Sequence, residues 1–294
     1  MNKHTRAELF LLLVTVIWGS TFVATKIVLR DSGPFLYTSI RFLVATLIFG
    51  AIFFKRLRTI GRESALKGAI LGLLLFVGFA TQTVGLEYTS ASKSAFITGM
   101  LVAFTPICQL AIERKPPRLG SVIGVFLVIV GLYFLTSPAG SHFNLGDGLT
   151  VICALSFAFY IVFLDMFSQN CDETHLTFMQ FLITTGLAGI GCLLFENIQL
   201  IANVEFTVGV LYLAIFATVI ALFVQTRFQK DTTPTRSAVV FSVEPVVAAI
   251  IAYVVLGEHL GAYGILGAGF IVAGVLVSEF SDSFFKALSP SGWA

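Results

Sequence analysis

The sequence predicts an all-α polytopic membrane protein of ten transmembrane helices, arranged as two inverted five-helix repeats. Three observations carry that expectation: a composition too apolar for a water-facing surface, ten apolar runs of spanning length, and a second half that repeats the first with reversed charge. The 294 residues are 57% hydrophobic and 12% charged, with mean hydropathy +0.94 and 30 phenylalanines. A soluble domain carries about 25% charged residues. This excludes a soluble enzyme, a disordered chain and a nucleic-acid binder. The net charge of +2 is too small to draw a polyanion. Cys108, Cys153, Cys171 and Cys192 lack CxxC spacing, so neither a disulfide framework nor a metal site is expected.

A helix needs about 20 apolar residues to cross the hydrocarbon. Apolar runs bounded by charge, Pro and Gly fall at 9–29, 34–54, 66–86, 92–112, 119–136, 149–167, 176–195, 208–227, 237–256 and 263–280. The first follows Lys3 and Arg6 as a signal peptide would, but its run is too long for an h-region, so it reads as an uncleaved helix. With the N-terminus in the cytoplasm, 14 of the 18 Lys and Arg fall in cytoplasmic segments. Only Arg30 and Lys93 fall outside, and Lys26 and Arg41 lie within spans. The positive-inside rule therefore sets both termini in the cytoplasm.

The second half matches the first at shifts of 139 to 143. Gln82 falls on Gln225, and Ser92-Lys93-Ser94-Ala95 on Thr235-Arg236-Ser237-Ala238, at 143. Trp18 meets Phe157, and Arg41-Phe42-Leu43 meets Gln180-Phe181-Leu182, at 139. Repeats of 1–140 and 141–294, the latter with a short cytoplasmic tail, hold five spans each. An odd number makes the copies lie upside down relative to each other. Charge agrees: the loop after the second span has five basic residues and its counterpart after the seventh has none. Inverted repeats are a frequent feature of secondary transporters.

The motifs Trp18-Gly19-Ser20-Thr21-Phe22, Arg41-Phe42, Tyr88 through Ala95 leading to Pro106, Thr233 through Ala238, Glu244-Pro245-Val246-Val247-Ala248 and Leu256-Gly257-Glu258-His259-Leu260 resemble the EamA branch of the drug/metabolite transporter superfamily. The resemblance covers nearly all of 8–280. It implies ten helices around a central cavity, an inner-membrane location and carriage of small metabolites, commonly outward. It places Trp18, Phe22 and Tyr160 on the helices around that cavity. Phe157 departs from the family, whose second copies commonly carry Trp there.

Ionisable residues within hydrocarbon normally face a cavity or a partner. Glu244, immediately before Pro245, reads as a site for a substrate amine or a proton, or as a carboxylate paired to Arg41 or capping a broken helix. Arg41 suits a substrate carboxylate as a planar fork, or else partners Glu244 or a helix carbonyl. Gln82 and Gln225, at equivalent positions, and Gln180 glue helices together or line a path. The candidate substrate-binding residues are thus Trp18, Phe22, Arg41, Gln82, Tyr160, Gln180, Gln225 and Glu244. Lys26 is expected to snorkel and Asp165 to lie at the interface. No catalytic or metal-binding residue is expected.

A secondary carrier for an amino acid or related metabolite, driven by protons or exchange, fits these features best. No nucleotide-binding loop is present, and the spans hold no His, HExxH or GxSxG for an intramembrane enzyme. A passive channel, a non-transporting helper and an efflux carrier for drugs or hydrophobic cations are the alternatives. The expected partners are a small-molecule substrate, the lipid bilayer and protons, with no cofactor and no nucleic acid, in a monomer or homodimer.

Overall fold

The computed structural model describes residues 3–117, 119–136, 143–256 and 262–288. Arg118, His142, the 140/141 boundary and the stretch Gly257-Glu258-His259-Leu260 lie outside the described residues. Thirteen helices account for nearly all of the described chain. They are α1 (Lys3–Val28), α2 (Pro34–Leu57), α3 (Arg62–Tyr88), α4 (Ala91–Gly99), α5 (Leu101–Glu113), α6 (Leu119–Thr136) and α7 (Leu145–Ser168). Then follow α8 (Glu173–Phe195), α9 (Val204–Ala214), α10 (Ala221–Phe228), α11 (Pro234–Phe241), α12 (Glu244–Leu256) and α13 (Ala262–Leu288). Every apolar run expected to span lies on one of these helices or on two in succession.

Eight helical stretches among the described residues are long and apolar enough to cross a membrane; Leu119–Phe134 and Ile265–Ser278 are shorter apolar helices. Large apolar side chains such as Leu47, Phe126, Leu193 and Val254 point outward, while Thr15, Asp147, Gln180, Thr184 and Gln229 are fully buried. That distribution suits a lipid solvent, in which buried polar groups find partners inside the protein. Buried threonines do so locally: Thr15, Thr46, Thr105, Thr150 and Thr226 each donate to the carbonyl four residues back. Here is a multi-pass membrane protein.

Three of the expected spans are divided between successive helical elements, and the second is kinked at Phe53 near the end of α2. The fourth breaks at Met100 between α4 and α5, and the ninth at Ser242–Val243 between α11 and α12. Pro245 is therefore not mid-helix. It occupies the first turn of α12, where a missing N–H costs little, and the preceding Glu244 opens that helix. The eighth span passes from α9 into a π-helical turn at Ile215–Ile220 before α10. Lys93 and Arg236, assigned to loops from the sequence, lie in the first turns of α4 and α11, capped by Ser90 and Thr233.

Helix packing brings the halves together. α3 packs on α7 and α8, α2 on α8, α1 on α12, and α6 on α13. Small residues set the closest approaches, as they do between membrane helices. A Cβ added at Gly72 would sit 2.9 Å from the Gln180 carbonyl oxygen on α8. Gly124 and Gly274 oppose each other so closely that a Cβ on either would lie 2.7 Å from the other's carbonyl oxygen.

Candidate functional site

The helices surround a partly open cavity of about 50 Å³ lined by both halves of the chain. From the first half it is lined by Trp18 and Thr21 of α1, Arg41 of α2, Leu75, Phe79 and Gln82 of α3, Thr98 of α4 and Leu101 of α5. From the second half come Phe157, Tyr160 and Ile161 of α7, Leu222 and Gln225 of α10, Phe241 of α11 and Glu244 of α12. Six of the eight residues singled out from the sequence thus meet around one space: Trp18, Arg41, Gln82, Tyr160, Gln225 and Glu244.

Phe22 and Gln180 do not line it. Phe22, 1% exposed, packs among Leu86, Ala91, Ala95, Ala248 and Ala252, while its neighbour Thr21 lines the cavity. Gln180 stands behind Tyr160, accepting its hydroxyl at 2.8 Å and donating to Thr226 at 3.3 Å. It steadies the tyrosine from the far side.

Arg41 is 3% exposed and partly satisfied. Its Nε donates to Thr218 Oγ1 at 2.7 Å, and its Nη1 to the Tyr37 hydroxyl at 3.1 Å. The guanidinium lies 4.7 Å from the centre of the Phe79 ring, a cation–π contact. Nη2 is buried with no hydrogen-bond partner. A buried donor left open costs free energy, so this nitrogen is suited to an acceptor brought in by a ligand.

Glu244 makes no hydrogen bond or ion pair among the described residues, and it does not pair with Arg41. The pairing considered from the sequence is absent because Arg41 is held by Thr218 and Tyr37 instead. As the first residue of α12, Glu244 sits where the positive end of a helix dipole favours a carboxylate. Gln225, 1% exposed, donates to Gln229 at 2.9 Å and leaves its own Oε1 without a partner. Gln82 donates to Thr98 Oγ1 at 3.2 Å. Trp18 donates its indole N–H to the Ala217 carbonyl at 3.0 Å and packs on Phe241.

The π turn is what sequence reading missed. With i→i−5 bonding, Thr218 donates to the Leu213 carbonyl at 2.9 Å and so presents its oxygen to Arg41, while the adjacent Ala217 carbonyl receives Trp18. No residue pattern announces a π turn, so neither Thr218 nor Ala217 stood out. Tyr37 was legible in principle, one helical turn before Arg41 on the same face. Lys26 and Asp165 both lie near helix ends, where the sequence placed them. Lys26 donates to the Thr89 carbonyl at 2.6 Å, and Asp165 keeps a buried Oδ1 without a partner.

An uncharacterized transporter of Archaeoglobus fulgidus is 33% identical over 279 residues, covering 94% of this chain and 86% of that protein. A Salmonella typhimurium protein named a probable amino-acid metabolite efflux pump is 28% identical over 306 residues, covering 96% and 97%. An uncharacterized inner membrane transporter of Escherichia coli is 25% identical over 285 residues, covering 92% and 90%. One solved crystal structure shares the fold, with a TM-score of 0.77 over 95% of this chain and 98% of that chain at 18% identity. A bundle of apolar helices around a largely apolar cavity that holds a few polar and ionisable side chains, with transporter relatives along nearly its whole length, defines a multi-pass membrane transporter. The profile of the EamA-like transporter family matches residues 5–137 and again 144–280, and the chain belongs to that family, within the drug/metabolite transporter superfamily.

Proposed function

We propose that this protein is a secondary transporter that exports an amino acid or a related zwitterion by alternating access. Its ten spans form two inverted repeats, 1–140 and 141–294, in an inner membrane with both termini cytoplasmic. Fold alone does not fix cargo. The observation that carries the reading is that Arg41 and Glu244, a guanidinium and a carboxyl group not paired with each other, line one cavity. Arg41 keeps a buried Nη2 without a partner, suited to a cargo carboxylate, and the Glu244 carboxyl group is suited to a cargo amine. Trp18, Phe79, Phe157 and Phe241 give the cargo an apolar wall. The name of the Salmonella relative supports the amino-acid reading, and that of the Escherichia coli relative supports the inner membrane.

The helix breaks at Met100 and Val243 support the repeat reading, since they stand 143 positions apart, the shift already found in the sequence. Discontinuous helices whose N-termini face a midplane site recur in secondary transporters. In the proton-driven form of the cycle Glu244 exchanges a proton for the cargo amine; in the exchange form one cargo molecule replaces another.

Counterflow of a panel of L-amino acids in proteoliposomes tests this. The purified protein is expected to give saturable, trans-stimulated uptake of one or more of them. Glu244→Gln is expected to abolish the pH dependence of net flux along with most of the rate. Flux linear in concentration would replace the carrier with a pore. Wild-type rate and unchanged pH dependence in Glu244→Gln would remove the proton role.

A further inference from the structure

Two ion pairs, each between a different pair of helices, repeat one another residue for residue. On one side, Asp147 in the first turn of α7 binds Lys93 Nζ at 2.6 Å and accepts the Thr89 hydroxyl at 3.0 Å. On the other, Glu8 near the start of α1 binds Arg236 Nε at 2.9 Å and accepts the Thr232 hydroxyl at 3.1 Å. Thr89 and Lys93 recur 143 positions on as Thr232 and Arg236, and Glu8 recurs 139 positions on as Asp147. These are the two shifts that relate the halves of the sequence. Even the helix cap is repeated: Ser90 accepts the Lys93 backbone N–H at 3.1 Å, and Thr233 that of Arg236 at 3.3 Å.

None of these side chains lines the cavity, yet each pair ties together two helices that do. Lys93–Asp147 joins α4, which carries Thr98, to α7, which carries Phe157 and Tyr160. Arg236–Glu8 joins α11, which carries Phe241, to α1, which carries Trp18. The five spans that separate Glu8 from Asp147 put the two sets on opposite faces of the membrane. That placement rests on the inverted ten-span reading above.

We propose that the two sets are the gates of the transport cycle. Lys93, Asp147 and Thr89 close the outer path to the cavity, and Arg236, Glu8 and Thr232 close the inner one. The chemistry fits contacts made and broken once per turnover. A cation in the first turn of a helix opposes the helix dipole, so Lys93 and Arg236 gain nothing from the dipoles of their own helices, and the acid across the interface offsets that cost. The Asp147 side chain is fully buried and that of Glu8 is 7% exposed. For such a pair the cost of desolvation nearly offsets the attraction, so hydrating both charges as a gate opens changes the free energy little. Both pairs are made in this structure. Opening one path therefore means separating one pair while its counterpart stays closed.

The test uses the full-length protein with Cys108, Cys153, Cys171 and Cys192 replaced by alanine and one reporter, Thr98→Cys, in the cavity wall. A membrane-impermeant maleimide is applied to right-side-out and inside-out vesicles. Asp147→Asn is expected to raise labelling from the outer face about tenfold and not from the inner, as its open state leaves the per-cent range of a minor conformer. Glu8→Gln is expected to do the reverse. The charge swap Lys93→Asp with Asp147→Lys is expected to return labelling to the parent rate, which separates gating from misfolding. Unchanged labelling in both single variants, or an equal rise from both faces, overturns the gate assignment. Tyr88→Cys and Asn170→Cys report the faces themselves. Labelling of these two from the same face overturns the inverted topology and the gates together, whereas opposite faces with an unmoved cavity reporter overturn the gates alone.

Discussion

Arg41 is the residue on which the chemistry of the cavity turns, because it spends two of its three nitrogens on fixed partners and leaves the third open. A lysine has a point charge without the planar fork, and it cannot keep the contacts to Thr218 and Tyr37 while also reaching a ligand. Arg41→Lys is therefore expected to raise the KM for an amino-acid cargo about tenfold or more, the scale of one charge-assisted hydrogen bond at about 1.5–3 kcal/mol. It is also expected to lose discrimination against the matching amino-acid amide, which lacks the carboxylate. Competition assays in proteoliposomes measure both. At this scale the sequence brought both ionisable candidates to the cavity, but one amide, Gln180, and one aromatic, Phe22, pack behind its wall. Arg41, Gln82, Gln225 and Glu244 stand out because polar groups in hydrocarbon are costly. Phe22 was named on the family resemblance alone, and among 30 phenylalanines nothing local tells a cavity wall from a packed core.

Helices position these residues through their irregularities. The π turn at Ile215–Ile220 turns Thr218 toward Arg41 and exposes the Ala217 carbonyl to Trp18, so one extra residue in the helix serves two cavity side chains. Such insertions are frequent at functional sites. Thr218→Val keeps the shape but leaves the Arg41 Nε without an acceptor, at a cost of about 1–3 kcal/mol. Its expected signature is a raised KM for the carboxylate-bearing cargo at a nearly unchanged rate for the amide, with Thr218→Ser restoring wild-type behaviour. The breaks at Met100 and Ser242–Val243 act similarly, by ending α4 beside Thr98 and starting α12 at Glu244. Proline marks only the second of these. At the first, Pro106 lies inside α5, six residues past the break. Hydropathy sums over about 19 residues in finding spans, so it passes over a one-turn interruption that changes the direction of every later side chain.

Across the whole molecule, the two halves meet along glycine-lined seams. Gly124 on α6 and Gly274 on α13 bring two backbones into contact, and any side chain there has a carbonyl rather than a flexible neighbour in its way. Gly124→Ala is expected to lower the thermal stability of the detergent-solubilised protein by about 1–3 kcal/mol, as overpacking does. Gly186→Ala is the control: nothing lies within 4 Å of its added Cβ, and it is expected to be neutral or slightly stabilising. Sequence alone marked the apolar segments that the fold builds into helices, and the spacing that suggests a second half echoing the first. Both properties are written along the chain, one in transfer free energies that add residue by residue, the other in spacing. Only the tertiary structure decided which polar residues share a cavity, that Arg41 is held by Thr218 and not by Glu244, and that Lys93 and Arg236 each meet an acid from the opposite half. Those outcomes depend on the rotation of each helix and on where it breaks, and both are set by packing between helices that are not neighbours along the chain.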